Sequence, residues 1–176
     1  AFDFDGHSLD FNKMKLQLDG GLRNFQFGNY SYDSVEVSGL LDQKLIDVTG
    51  FIQDRNAQLA YDAKVDLQSE EASYDLSADV DLINLKKMGF VDKDSIVIFN
   101  SKINTHLTGN TLNNLNGEVI AEQINMRTTK GDFTVDDLFF SAEGTQMDRL
   151  LTLRSNVLDA EMKGVIDLNT LIPYFK

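Results

Sequence analysis

The sequence contains no cysteine, which removes disulfides, thiolate metal sites and cysteine nucleophiles from consideration. It also lacks tryptophan and carries a single proline, Pro173, in 176 residues. So few prolines suit continuous β-ladders, because proline cannot donate a sheet hydrogen bond. Basic residues are scarce as well: 16 stand against 28 acidic ones, a formal charge of −12. That balance excludes a nucleic-acid surface, which needs Lys and Arg to displace counterions from phosphates. It equally excludes a polybasic grip on anionic lipid headgroups. No apolar run approaches the roughly 18 residues of a membrane-spanning helix, and the acidic opening Ala1–Asp5 is no signal-peptide n-region.

What is present is alternation. Apolar residues make up 42% and charged residues 25%, values that exclude wholesale disorder, and the length fits one domain. Over Leu59–Leu67 the apolar set is Leu59, Tyr61, Ala63, Val65 and Leu67, with Asp62, Lys64 and Asp66 between them. Tyr74–Leu82 repeats the pattern with Tyr74, Leu76, Ala78, Val80 and Leu82. Leu158–Leu168 does so with Leu158, Ala160, Met162, Gly164, Ile166 and Leu168. Shorter versions occur at Met14–Leu18, Ile46–Ile52, Ile103–Leu107, Leu115–Ala121 and Leu138–Ala142. A period of two predicts antiparallel strands with one dry and one wet face.

Asp19-Gly20-Gly21, Thr108-Gly109-Asn110, Asn116-Gly117 and Lys130-Gly131-Asp132 read as turns or bulges, since these residues tolerate positive φ. Helix is confined to two expectations: about two turns over Leu82–Gly89 and a short turn over Asn169–Tyr174, capped by Asn169. The class is mostly β with one or two short helices. A degenerate repeat links Ala78–Leu85 to Gly164–Leu171, so the segments around 59–90 and 150–176 are expected to correspond. Units that cannot close a core alone stack side by side into an elongated sheet.

A sheet with one dry face must set it against something. A closed β-sandwich would fill the space with a second sheet about 10 Å away. Here the dry positions include the small residues Ala63, Ala78, Gly117, Ala121, Ala142, Ala160 and Gly164, which leave room for a partner's bulk or a ligand. Both arrangements, open curled sheet and closed sandwich, satisfy the alternation.

The stretch Tyr30–Phe90 resembles the TamB/AsmA-like proteins of Gram-negative envelopes. The likeness lies in a Y-x-Y-x-x-apolar-x-apolar-x-G cadence, the Gly50–Ala57 junction (GFIQDRNA), a strand ending Val65-Asp66-Leu67 and the Ala78–Phe90 run. Leu115–Leu171 resembles the same family through its Leu151–Ala160 junction (LTLRSNVLDA) and its Met162–Leu168 ending (MKGVIDL). The resemblance implies an open, curled sheet, the β-taco, with an apolar concave lining. It implies a periplasmic location within a protein anchored in the inner membrane. It further implies phospholipid acyl chains as cargo and an outer-membrane β-barrel assembly partner. On this reading the whole chain is one segment of a longer groove protein, as the opening Ala1 and the apolar end Leu171–Lys176 also suggest. The expected lining comprises Leu59, Tyr61, Ala63, Val65, Leu67, Leu76, Ala78, Val80, Leu82, Leu158, Ala160, Met162, Gly164, Ile166 and Leu168. The rival expectation is a cell-surface β-sandwich that binds glycan or protein.

Catalytic signatures are missing. His7 and His106 stand in no metal-binding spacing, and His106 falls on a wet face. Asp3-Phe4-Asp5-Gly6 with Asp10 lacks the Glu that an EF-hand requires, since Met14 occupies that place. The Phe/Asp alternation reads instead as an edge strand. The pairs Asp79/Asp81 and Asp92/Asp94 read as solvated carboxylates rather than an acid/base couple. No nucleophile elbow, phosphate-binding loop or dinucleotide fingerprint occurs. The expectation is a non-enzymatic protein without a cofactor or metal.

Overall fold

The structure, a computed structural model, describes residues 2–7, 10, 12–28, 30–89 and 96–171. Asp92, Asp94, Pro173, Tyr174 and the extreme ends of both repeat segments lie outside the described residues. Eleven strands follow one another in chain order: β1 (Phe2–His7), β2 (Lys15–Phe27), β3 (Tyr30–Asp42), β4 (Leu45–Gln53), β5 (Ala57–Asp66) and β6 (Ser73–Ile83). Next come β7 (Ile96–Thr108), β8 (Asn116–Thr128), β9 (Gly131–Thr145), β10 (Asp148–Ser155) and β11 (Ala160–Gly164), before a short helix α1 (Leu168–Leu171). They form a single sheet in the order β1 to β11, and every neighbouring pair is antiparallel. The sheet is open and curled, with β1 at one edge as its alternation predicts. No second sheet covers it among the described residues, so the closed sandwich does not form.

The hairpins show how the chain reverses. Gln43 and Lys44 join β3 to β4 with φ of 48° and 74°, the two left-handed residues of a type I′ turn, here without the usual glycine. Their conformation is held from outside: the Gln43 amide donates to the Met14 carbonyl at 2.8 Å, and Lys44 accepts from the Leu67 amide at 3.1 Å. Thr129 and Lys130 join β8 to β9, with Gly131 at φ 141° opposite Thr128.

Three expectations change. Gly20 and Gly21 do not turn the chain but lie within β2, opposite Val37 and Glu36; Asn116-Gly117 likewise begins β8. The Leu82–Gly89 segment is strand to Ile83 and then one turn, with the Met88 amide bonded to the Asn84 carbonyl at 3.1 Å and Gly89 at φ 78° stopping it. The third strand of the alternation ends at Gly164 instead of Leu168. Beyond it the chain folds back, and α1 is capped by Asp167, which accepts from the Asn169 amide at 2.9 Å. The repeat partners therefore differ in structure: Ala78–Ile83 stays in the sheet, whereas Val165–Leu171 leaves it.

Candidate functional site

Register decides which side chains share a face. Starting from Leu18, successive partners are Gly39, Val48, Ala63, Leu76, Thr105, Val119, Phe140, Leu153 and Ala160. A second row runs Leu16, Leu41, Ile46, Val65, Tyr74, Leu107, Gly117, Ala142, Leu151 and Met162. One mostly apolar face thus continues from β2 to β11, with the hydroxyls of Thr105 and Tyr74 the polar side-chain atoms in these two rows. Most of its residues are half-buried, since they are covered only by neighbours in the same sheet; Leu76 in the middle is 39% exposed. Antiparallel partners project to the same side, so the alternation in the sequence suffices to build the face.

Two devices keep the face continuous through bends. In β8 and β9 the alternation slips at Glu122-Gln123 and Asp136-Asp137, consecutive exposed residues, with Gln123 at φ 53°. Against β7 the slip in β8 is a β-bulge, since Lys102 pairs with Glu122 but Asn100 with Asn125, and β9 follows β8 in unbroken register. The bulge returns Ile124 and Val135 to the side of Ala121, where they form a buried cluster flanked by Phe99, Ile103, Met126 and Leu138. The second device is glycine beneath a large neighbour. At Gly39 an added Cβ would lie 2.5 Å from Val48 Cγ1. The space over this glycine is therefore taken by the neighbouring strand and is not free for a guest.

At the β8–β10 end the apolar face is covered by the chain itself. Ile166 and Leu168 pack on Ala142 and Leu151 in a buried cluster that also touches Leu112 and Phe140. Leu112 belongs to a 3-10 turn, Leu112–Asn114. Asn113 clasps the two covering segments, donating to Asp167 at 3.0 Å and accepting from the Leu168 amide at 2.8 Å. The bond from Asn113 is the main reason the Asp167 carboxyl sits below its ordinary range. Beneath this cap lies Arg149, fully buried, on the apolar side between its register partners Gly144 and Gly164. Its guanidinium donates to the carbonyls of Leu115 and Asn113, both at 2.6 Å, and of Gly144 at 3.2 Å. Burial draws its pKa below the usual arginine value.

The other end of the strands has its own polar knot. Asp54 is 4% exposed and accepts from the Tyr30 hydroxyl, the Asp33 amide at 2.9 Å and the Asn56 amide at 2.8 Å. Burial pushes its carboxyl up, but these bonds and the charge of Arg55 outweigh that and leave it low. Burial, then the bond to Asp54, raises the Tyr30 hydroxyl. Tyr32 meets Tyr30 edge-on at 4.9 Å and stacks on Phe25 at 6.4 Å.

The predicted lining residues separate into groups. Leu59 with Val80, Tyr61 with Ala78 and Ala63 with Leu76 are direct partners on the apolar face, and Val65 joins them beside Tyr74. Ala160, Met162 and Gly164 continue that face at the far edge strand. Leu67 follows β5 and bonds Lys44. Leu82 stands opposite Gln58, carried there by the irregularity after Val80. Leu158 lies in the β10–β11 turn, 55% exposed, while Ile166 and Leu168 belong to the cap. Sequence reading missed Arg149, whose signal was a charged residue at the same alternation parity as Leu151 and Leu153.

The opposite face is polar and laced with cross-strand ion pairs: Lys15–Asp42 at 2.9 Å, Lys64–Asp47 at 3.8 Å and Lys102–Asp79 at 4.0 Å. His106 pairs with Asp75 there at 2.5 Å. A hollow of about 920 Å³ opens mainly on this side, over Asp19, Arg23, Glu36, Ser38, Thr49 and Phe51, with Gly20, Gly21 and Gly50 beneath. Among the described residues no cluster of three His, Asp or Glu is placed to hold a metal ion, and no helix is long and apolar enough to cross a membrane. No protein-family model, curated protein or solved structure matches this chain.

Proposed function

We propose that the chain is a non-enzymatic segment of a TamB/AsmA-like periplasmic protein whose apolar sheet face accepts phospholipid acyl chains. It would serve lipid passage between inner and outer membranes, or outer-membrane protein assembly, within a longer chain anchored in the inner membrane. The observation that carries this reading is the mostly apolar face that runs from β2 to β11 with no second sheet over it among the described residues, the chain's own cap of Ile166 and Leu168 lying over its β9–β10 end. An acyl chain in water is unfavourable by about 0.8 kcal/mol per methylene. A lining of Leu, Val, Ile, Tyr and Ala relieves that cost without any directional polar group, so sustained alternation is the only motif such a site needs.

The test is direct. Purified protein, exposed to phospholipid vesicles and re-isolated, is analysed by native mass spectrometry and solvent extraction. Lipid is expected on the wild type and on Ser77→Asp, whose change falls on the polar face, and lost from Leu76→Asp, which puts a carboxylate in the middle of the apolar row. Wild-type protein that never retains lipid, or equal retention by Leu76→Asp, overturns the reading.

A further inference from the structure

The last strand, β11, is five residues long and pairs only with β10, so its outer edge offers unpaired backbone groups among the described residues. Large exposed apolar side chains gather around it: Val157 and Leu158 precede it, Met162 lies within it, and Val165 follows at 70% exposure. Free edges of this kind are templates for strand addition unless charge or proline blunts them. Here the charges form a pattern. The strand reads Ala160-Glu161-Met162-Lys163-Gly164. Elsewhere on the polar face Lys64 and Lys102 find a carboxylate on the neighbouring strand. Glu161 and Lys163 have no such ion pair among the described residues and are exposed.

We propose that β11 pairs antiparallel with β11 of a second copy of this chain, about a two-fold axis through Met162. In that register Met162 stands opposite Met162 of the second copy, and Ala160 opposite its Gly164. Glu161 faces its Lys163, and Lys163 its Glu161. An isologous edge must be self-complementary in this way. Both new charge pairs unite opposite signs, which strengthens a cross-strand contact, whereas like charges there weaken it. Slipped registers are worse: a shift of one residue would put Met162 of one copy on the polar face of the other, and a shift of two would set Glu161 against Glu161 or Lys163 against Lys163. Direct partners share a face, so the two apolar faces lie on the same side and the joined sheet carries one lining of doubled width. Leu158 and the Val165 turn come together at the ends of the shared ladder. The inference stands on the edge strand alone and does not require the lipid reading.

The 176-residue chain contains no cysteine, which makes cross-linking clean. Met162→Cys should oxidise to a covalent dimer, because opposed strand residues place their Cα atoms about 4.5–5.5 Å apart, within disulfide reach. Ala160→Cys, whose partner is Gly164 and not itself, should cross-link far more slowly. Sedimentation equilibrium should show a concentration-dependent dimer. Glu161→Lys or Lys163→Glu alone should weaken it by at least about tenfold, and the double exchange E161K/K163E should restore it. Circular dichroism checks that each variant keeps its strands. A monomer at every concentration overturns the proposal, as does a dimer indifferent to both reversals, one the double exchange fails to restore, or equal cross-linking at positions 160 and 162.

Discussion

Tyr61 lies across Gly50 on the adjoining strand: a Cβ on that glycine would fall 2.7 Å from the phenol oxygen and 2.5 Å from the Glu36 carbonyl oxygen. The ring takes the space a side chain would need, so glycine here is a packing requirement. Gly50→Ala is expected to destabilise by about 1–3 kcal/mol, the usual cost of overpacking. At Gly21 the nearest atom is Glu36 Cγ at 3.3 Å, on a flexible side chain, so Gly21→Ala should lie near neutral. Urea unfolding of the two variants separates them.

Such glycines mark the limit of what alternation can say. The strands from Leu59, Tyr74, Ile46 and Ile103 were legible because apolar and polar residues trade places every second position, and register then assembles the face. Gly20-Gly21 has the composition of a turn, yet it sits within β2 because Val37 and Glu36 lie opposite. Nothing local distinguishes a glycine that bends the chain from one that lies under a neighbour. Ile166 and Leu168 keep strand parity in the sequence, but the chain leaves the ladder after Gly164, at φ 145°, to cover Ala142 and Leu151. Tyr30 and Asp54 meet across 24 positions, a pairing that no short pattern encodes.

Arg149 holds the cap through carbonyl oxygens and has no carboxylate partner among the described residues. Arg149→Lys offers a compact ammonium in place of a planar fork and cannot reach all three acceptors. It should cost about 2–4 kcal/mol, in the range for breaking a buried charged network. Hydrogen exchange should show the loss concentrated in Leu112–Asn114 and Leu168–Leu171, with the β2–β5 ladder protected as before.

The Asp54 knot makes stability depend on acid. Its carboxyl is held below the unfolded value of about 3.9, so its contribution is complete above that pH. It disappears as pH falls through the lower, folded value. Asp54→Asn should therefore lower Tm at pH 7, and the gap to wild type should narrow steadily below about pH 4. Thermal unfolding followed across pH 2–7 checks the sign; a gap that widens in acid contradicts it.

The β3–β4 turn is made with two residues that resist left-handed φ. Replacing Gln43-Lys44 by Asn-Gly, the preferred type I′ pair, should stabilise by about 1–2 kcal/mol, given the steric cost of that conformation for ordinary residues. Equilibrium unfolding of the double variant measures it. The backbone bonds to Met14 and Leu67 remain available.

Because the sheet is laid down strand after strand in chain order, each strand's ladder bonds go to the strands immediately before and after it, while the cap at the β9–β10 end reaches further. Cohesion is then a chain of local agreements, closer to a zip than to a keystone arch. Mechanical pulling at either margin would strip one ribbon at a time, and the interior would keep its shape until the opening reached it.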